Sequence, residues 1–122
     1  MRLVTHNFLR SNVKGATTGY PLVVEASQVT TEECEFQREL VLRLLKKLDY
    51  GALLVAASAV EKDCDLPPEK SDDDDFLRKV HHFLFEVHVV EGALLCPDTR
   101  RRYPIANGIP NMLLHEDELG GD

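Results

Sequence analysis

The first 30 residues contain two short apolar runs separated by a loop. Residues 1–8 carry Leu3, Val4 and Phe8, and residues 20–26 include the β-branched pair Val23–Val24. β-Branched and aromatic residues favour extended backbone, so both runs are predicted to be strands. Gly15 and Gly19 flank a threonine pair between them, which is typical of a loop.

From Thr30 onward the apolar residues recur at helical spacing. Thr30 and Glu33 have the spacing of a capping box, in which each side chain accepts a backbone N–H at a helix start. Asp49 is predicted to cap a second helix, and a third is expected to begin near Ser71, after Pro67–Pro68. The three predicted apolar stripes are Phe36, Leu40, Val41, Leu44, Leu45 and Leu48; Leu53, Leu54, Ala57 and Val60; and Phe76, Val80, Phe83 and Leu84.

After residue 84 the apolar period changes to two, which is typical of strands. Phe85, Val87 and Val89 alternate with Glu86, His88 and Val90, and Glu91–Gly92 is predicted to be a hairpin turn. Further extended segments are expected at residues 93–96, 102–105 and 109–114, with turns at Pro97–Asp98 and Asn107–Gly108.

These patterns predict an α+β fold. Residues 1–30 and 85–122 are predicted to form a small antiparallel β-domain, and residues 31–84 an inserted three-helix domain. The turn from Cys96 to Thr99 has the length of a zinc knuckle but contains one cysteine, whereas zinc needs four ligands. We therefore expect a zinc-ribbon-like domain that has lost most metal ligands; a partial site combining Cys96 with a histidine is the alternative. The acidic residues 116–122 are expected to form a mobile tail.

The charge balance argues against a nucleic-acid-binding protein. The 122 residues carry a net charge of -7, whereas phosphate contacts need clustered lysine and arginine. Arg100–Arg102 is a short basic cluster, and a solvated turn is its preferred interpretation. The alternative function is an RNA-binding module that uses Arg10, Lys14 and Arg100–Arg102.

The sequence also lacks the usual catalytic and metal-binding motifs. It contains no glycine-rich phosphate loop, nucleophile elbow or pair of histidines spaced for metal binding on a helix. His81 and His82 are adjacent, so they point to different helix faces and are not expected to bind one ion together. Asp72–Asp75 is interpreted as a solvated helix start, and Cys34 as a structural rather than an activated cysteine. We expect no enzymatic activity, cofactor or metal.

Three widely spaced cysteines, Cys34, Cys64 and Cys96, do not make a disulfide framework, so a reducing compartment is expected. No apolar run approaches the roughly 20 residues needed to cross a bilayer, and no cleavable signal pattern is present. Cytoplasmic and nuclear localisation without membrane association is therefore expected.

The segment from Tyr103 to Leu114 is unusually apolar for the last strand of a small sheet. Ile109, Pro110, Met112 and Leu113 are more apolar groups than such a strand can bury. Pro110 lacks an N–H and suits an edge strand, and an exposed apolar edge favours pairing with another chain. The opposing interpretation, that the strand simply closes the core, stays open for Ile105 and Leu113.

Two terminal motifs carry a family resemblance. Residues 1–9, MRLVTHNFL, and residues 103–114, YPIANGIPNMLL, resemble the shared activator subunit of eukaryotic and archaeal methyltransferases, the Trm112-like family. Residues 76–84, FLRKVHHFL, with the strand that follows, are similar to the middle of that family. The resemblance covers nearly the whole chain.

The resemblance implies a zinc-ribbon-like domain with a helical insertion and a non-catalytic function. Members of the family form one-to-one heterodimers with several S-adenosylmethionine-dependent methyltransferases, which compete for one surface and modify tRNA, rRNA and a translation release factor. RNA would then be met only indirectly, through the complex. The positions that bind zinc in some members correspond here to Ser11, Ala16, Cys96 and Thr99, so only one ligand remains.

The two terminal motifs also provide the predicted contact residues. We expect Phe8 and Met112 to be apolar anchors, and Asn7 and Asn111 to supply hydrogen bonds at the rim. The full predicted set is Thr5, Asn7, Phe8, Ile109, Pro110, Asn111, Met112 and Leu113.

Overall fold

The computed structural model describes residues 1–119, which form one antiparallel sheet and several helices. The α-helices are α1 (Leu3–Asn7), α2 (Arg38–Lys47), α3 (Tyr50–Val60) and α4 (Asp74–His81), and α4 continues into a π-helical turn at His82–Glu86. The strands are β1 (Val23–Thr31), β2 (Val87–Leu95), β3 (Arg102–Ala106) and β4 (Ile109–Pro110), followed by a 3₁₀ turn at Glu116–Glu118. The predicted α+β class is confirmed.

The sheet has the order β1-β2-β3-β4, and each neighbouring pair is antiparallel. α3 packs against β1, α2 against α4, and α1 against α3 and the π-helical turn. Fully buried side chains such as Leu53, Val87 and Leu94 belong to a core cluster shared by the sheet and the helices. The three predicted helices lie between β1 and β2 in the chain; the division into two domains stays a prediction. None of the helices within residues 1–119 is long and apolar enough to cross a bilayer.

The first predicted strand is wrong, because residues 3–7 are helical. Leu3, His6 and Asn7 are the buried side chains of α1, and their spacing of three and four positions is that of a helix face. The imidazole Nε2 of His6 lies 2.7 Å from the carbonyl oxygen of Leu22, so a buried polar contact fixes this face. Burial lowers the pKa of His6 despite that hydrogen bond, which favours the neutral ring.

The predicted start of the first long helix at Thr30 is also wrong. β1 continues to Thr31, which pairs with Val87, and α2 begins only at Arg38. Strand pairing thus outcompetes the capping-box spacing of Thr30 and Glu33. The cap predicted for the second helix is confirmed, because the carboxylate of Asp49 accepts the N–H of Ala52 at 3.0 Å.

The predicted hairpin at Glu91–Gly92 is wrong, because β2 runs without a turn from Val87 to Leu95. The register between β1 and β2 shifts around residues 26–28, opposite Gly92. A Cβ at Gly92 would lie 2.1 Å from the carbonyl oxygen of Glu25. The glycine therefore permits close strand approach at a bulge rather than a turn.

The C-terminal predictions are partly correct. Asn107 and Gly108 have φ values of 52° and 77° and form the predicted turn between β3 and β4. β4 is shorter than the predicted strand of residues 109–114. The Asn111 side chain accepts the N–H of Leu113 at 3.0 Å, which bends the chain away from a strand path.

The expectation of a mobile acidic tail is wrong for residues 116–119. Arg101 donates two hydrogen bonds to the carboxylate of Glu118, at 2.8 and 2.9 Å, and Leu119 forms a bridge with Val13. The Arg101 guanidinium holds the pKa of Glu118 at about 2. Residues 120–122 of that predicted tail lie outside the described residues.

Candidate protein-binding surface

The predicted contact residues lie in two regions, one at α1 and Phe8 directly after it, the other at and beyond β4; all of them except Asn7 are exposed or half-buried. The backbone nitrogen of Met1, just before α1, donates to the carbonyl oxygens of Val89 at 2.7 Å and Gly108 at 2.6 Å. The beginning of α1 is therefore fixed to the turn that precedes β4. The two predicted motifs, although separated along the chain, meet at this turn.

β4 forms one edge of the sheet. It pairs with β3 on one side, and within residues 1–119 no strand pairs with its other side. Ile109 in β4 is 70 % exposed, and Leu113 just beyond it is 81 % exposed. An edge with unpaired backbone groups and exposed apolar side chains is suited to strand addition by another chain.

The open question about closing the core is answered differently for the two residues concerned. Ile105 is buried in the core, whereas Leu113 projects into solvent. Met112 is half-buried and packs against the core, and Pro110 is also half-buried. Leu113, Asn111, Pro104 and Arg101 contribute to the wall of a surface cleft of about 460 Å³. Apolar groups therefore line a concave surface beside the free edge.

The second region surrounds Phe8 at the end of α1. Phe8 is 55 % exposed and, with Tyr20 and Lys47, contributes to a cleft of about 270 Å³. The Tyr20 hydroxyl donates to the carbonyl oxygen of Asn7 at 2.7 Å, and burial followed by the nearby Asp49 carboxylate raises the pKa of Tyr20. Thr5 is exposed on the same helix.

Asn7 does not fit its predicted place at the rim. Its side chain is 2 % exposed, its amide nitrogen donates to the carbonyl oxygen of Asp49 at 2.8 Å, and its amide oxygen accepts the Asp49 N–H at 2.9 Å. Both polar ends are used inside the chain, so Asn7 holds α1 against the start of α3. The sequence does not reveal this role of Asn7, nor that Tyr20 contributes to the surface, because no local pattern marks contacts between residues 13 or 42 positions apart.

The predicted zinc-knuckle turn is held to the N-terminal loop by a carboxylate. Asp98 Oδ2 accepts the backbone N–H groups of Thr17, Thr18 and Gly19 at 2.9, 3.0 and 2.9 Å. The Gly19 N–H is the largest contributor to the lowered pKa of Asp98, with Thr17 and Thr18 adding to it. The N-terminal loop and the predicted knuckle turn are therefore joined by hydrogen bonds.

Cys96, the one cysteine among those four positions, is buried beside Ser11 and Thr99. Burial pushes the thiol pKa upward, but hydrogen bonds from Ser11 and Thr99 outweigh it and lower the pKa. Ser11 also shares a 2.7 Å hydrogen bond with the Tyr103 hydroxyl. Ser11 thus connects Cys96 and the Tyr103 hydroxyl in a polar cluster beside the knuckle turn.

The geometry weakens the RNA-binding alternative. Arg101 is paired with Glu118, and Arg102 lies 2.6 Å from the carboxylate of Glu25. Arg10 stacks over the Tyr20 ring at 5.1 Å. Carboxylates therefore neutralise two of the three arginines in the Arg100–Arg102 cluster, which leaves little positive charge for phosphate contacts.

Comparison with known proteins agrees with the resemblance carried by the terminal motifs. A multifunctional methyltransferase subunit TRM112 homolog A from Arabidopsis thaliana is 45% identical over 125 residues, covering 98% of this chain and 100% of the relative. A multifunctional methyltransferase subunit TRM112-like protein from Mus musculus is 44% identical, covering 97% and 98%. Multifunctional methyltransferase subunit TRM112 from Saccharomyces cerevisiae is 32% identical, covering 93% and 96%.

A solved structure supports the fold. A chain of the E. cuniculi Mtq2-Trm112 complex, described as responsible for methylation of the eRF1 translation termination factor, matches with a TM-score of 0.61. The match has 18% identity and covers 100% of both chains. The model of the family described as Trm112p-like protein matches residues 2–108, and the chain belongs to this family.

Proposed function

We propose that this chain is a non-catalytic subunit that activates and stabilises S-adenosylmethionine-dependent methyltransferases by forming one-to-one heterodimers with them. The observation that carries the proposal is the free edge of β4, where Ile109 and Leu113 expose most of their side chains. Membership of the Trm112p-like family, whose relatives are named multifunctional methyltransferase subunits, supplies the class of partner.

The free edge explains how the subunit would act without chemistry of its own. A doubly wound methyltransferase sheet ends in a strand whose outer backbone groups lack partners. Pairing of β4 with that strand would satisfy those groups, and Ile109 and Leu113 would cover the adjacent apolar flank. A partner that binds only the folded enzyme stabilises it by about 2.7 kcal/mol at a free concentration 100-fold above the dissociation constant.

One surface that serves several enzymes makes their binding mutually exclusive. We therefore propose that methyltransferases acting on tRNA, rRNA and a translation release factor compete for this subunit in the cytoplasm and nucleus. The E. cuniculi complex, described as acting on eRF1, supports the release-factor branch. Because Arg101 and Arg102 are paired with carboxylates, we propose that this subunit meets RNA only as part of its complex with a methyltransferase.

We also propose that the knuckle needs no zinc in this chain. Asp98 supplies three hydrogen bonds between the two loops, and Ser11 and Thr99 occupy positions beside Cys96. These contacts do what a tetrahedral metal does in a ribbon, which is to hold two turns together.

The test is co-expression of this chain with methyltransferases from the same organism, followed by purification through a tag on the enzyme. Ile109→Asp places a charge on the free edge and should remove the chain from the purified complex. Val55→Asp is the matched control, because Val55 is 67 % exposed on α3, a helix that packs against β1 at the opposite edge of the sheet from β4. It should copurify as the wild type does.

Both variants should keep the wild-type helical content by circular dichroism. Equal recovery of the Ile109→Asp and wild-type chains would contradict the proposed interface. Failure of the wild type to bind any methyltransferase would contradict the function itself.

A further inference from the structure

Three side chains that are distant in sequence meet at the junction of α4, the π-helical turn and the loop before α2. Cys34 belongs to that loop, His81 ends α4 and Glu86 ends the π-helical turn. Sγ of Cys34 lies 3.6 Å from Nε2 of His81, and the same nitrogen lies 3.5 Å from Oε2 of Glu86. The three potential ligand atoms all lie within 4.8 Å of one another.

Two of the three separations, those from Nε2 to the sulfur and to the carboxylate oxygen, match those of ligands around a single tetrahedral ion. Bond lengths of about 2.0–2.3 Å from Zn²⁺ to nitrogen, oxygen and sulfur place neighbouring ligand atoms about 3.3–3.6 Å apart. The observed distances of 3.6 Å from sulfur to nitrogen and 3.5 Å from nitrogen to oxygen fall at this spacing. The mixed set of thiolate, imidazole and carboxylate is one that Zn²⁺ accepts and that Mg²⁺ and Ca²⁺ do not prefer.

The imidazole of His81 is held with Nε2 facing this cluster. The ring is 5 % exposed and packs against Phe36 and Phe85, with centroid distances of 5.4 and 5.6 Å. Within the part of the chain that the structure describes, its Nδ1 is buried without a hydrogen-bond partner, so all its polar contacts are at Nε2. Those contacts include the Cys34 carbonyl oxygen at 3.1 Å, which can only accept, so Nε2 carries the ring proton in the metal-free chain. Metal binding at Nε2 therefore requires the tautomer with that proton on Nδ1.

The carboxylate of Glu86 is oriented by a hydrogen bond to its other oxygen, as metal-binding carboxylates commonly are. Its Oε1 lies 3.0 Å from Nδ1 of His82, whose Nε2 lies 2.8 Å from the carboxylate of Glu61. Its Oε2 accepts the Cys34 N–H at 3.1 Å and remains directed at the cluster. Such outer contacts fix ligand orientation and charge.

We propose that Cys34 Sγ, His81 Nε2 and Glu86 Oε2 form a binding site for a divalent transition metal, with Zn²⁺ as the best fit. Cys34 and His81 line a cavity of about 240 Å³ in which the other charged side chains are Glu35 and Arg2. Binding forms the metal–sulfur bond as the thiol proton is released to solvent, so affinity rises with pH.

This site is separate from the family's four zinc positions, because it shares no residue with Ser11, Ala16, Cys96 and Thr99. It departs from the sequence-based expectation that the chain holds no metal. The expectation missed it because Cys34 lies 47 residues before His81 and 52 before Glu86, so no local sequence pattern brings the three together. A bound ion would fix the loop before α2 to the end of α4 and stabilise the folded chain by mass action.

The test uses Co²⁺ as an optical probe and the reduced full chain as the protein. The wild type should bind a single equivalent of Co²⁺ with a thiolate-to-cobalt charge-transfer band, and Zn²⁺ should displace the Co²⁺ and abolish the band. Cys34→Ser should lose the band, and because Cys34 is exposed the variant is expected to keep its fold. Glu86→Gln should bind about tenfold more weakly or worse, since even loss of an outer-shell partner commonly costs that much.

Two cysteine variants serve as matched controls. Cys64→Ser changes the half-buried thiol elsewhere in the chain and should leave the band intact. Cys96→Ser should do the same, because Cys96 belongs to the knuckle. Absence of the band in the wild type would overturn the proposal, and so would a band that survives Cys34→Ser but is lost in Cys96→Ser.

Discussion

Asn7 and Asp49 are joined by a reciprocal pair of hydrogen bonds. The amide of Asn7 donates to the Asp49 carbonyl oxygen and accepts its N–H, at 2.8 and 2.9 Å. Asp49 in turn caps α3 through its own carboxylate. One asparagine therefore connects the N-terminal helix to the start of α3, across 42 residues of chain.

Asn7→Ala should lower the free energy of unfolding by about 2 kcal/mol, because two hydrogen bonds are lost and the Asp49 backbone groups are left without partners. For a chain of this length the melting temperature should fall by roughly 8 °C. Thr5→Ala on the exposed face of α1 should leave it nearly unchanged. Denaturant unfolding measures both variants. A stable Asn7→Ala chain that loses its partner would restore Asn7 as a contact residue.

The Asp98 carboxylate provides a second testable connection between distant loops. Asp98→Ala removes the acceptor shared by three backbone N–H groups, so amide hydrogen exchange at Thr17, Thr18 and Gly19 should accelerate. Asp75→Ala, an exposed carboxylate in the first turn of α4, should leave those amides protected.

The lowered pKa of Asp98 adds a pH dependence. A carboxyl whose pKa is depressed in the folded state stabilises the folded chain at pH values above its pKa in the unfolded chain. That stabilisation is lost as the pH falls through its pKa in the folded chain. Wild-type protection should therefore disappear in acid, whereas Asp98→Ala should show no corresponding step. Persistent protection in the variant would contradict this account of the loops.

Local signals predicted the parts of the fold that depend on neighbouring residues. The cap at Asp49 and the turn at Asn107–Gly108 were predictable because each involves groups within a few positions of one another. The exposure of Ile109 was predictable as well, since a short terminal strand cannot bury so many apolar groups, whereas that of Leu113 stayed open at the level of sequence.

Distant contacts decided the rest. The buried face of α1 is fixed by hydrogen bonds from His6 to the Leu22 carbonyl oxygen and from Asn7 to Asp49. Neither partner belongs to the first eight residues, so the local pattern does not reveal the helix. Gly92 resembles a turn residue in the sequence, but in the structure it is needed because the Glu25 carbonyl oxygen lies against it. Sequence reasoning recovers apolar exposure in a candidate site, but it does not recover which polar side chains are already used internally.

His82 connects two carboxylates and should make stability depend on pH. Burial pushes its pKa downward, but the hydrogen bonds to Glu61 and Glu86 outweigh this and raise the pKa above 6.5. A histidine whose pKa is raised in the folded state stabilises the folded chain fully at pH values below its pKa in the unfolded chain. That stabilisation is lost as the pH rises through its pKa in the folded chain. The stabilisation is therefore greatest in mildly acidic solution.

His82→Gln should accordingly destabilise the chain more at about pH 6 than at about pH 8.5, measured as the difference in free energy of unfolding from wild type. Glu61→Gln should show the same trend, because it removes one of the two carboxylates. Lys62→Gln, at the neighbouring exposed position, should show no such trend. Equal losses for His82→Gln at both pH values would mean that packing, not charge, is what His82 contributes.

Gly92 should tolerate no side chain, although it lies within a strand. In Gly92→Ala the new Cβ would meet the Glu25 carbonyl oxygen at 2.1 Å, so the backbone of β1 or β2 must shift. Overpacking of this kind costs about 2 kcal/mol or more of unfolding free energy. Gly51→Ala is the matched control, since its Cβ would lie 3.4 Å from the Asp49 carboxylate and alanine favours a helix. Denaturant titration should show Gly51→Ala at or above wild-type stability and Gly92→Ala well below it; comparable stability of the two variants would mean that the strands do not approach at residue 92 as described.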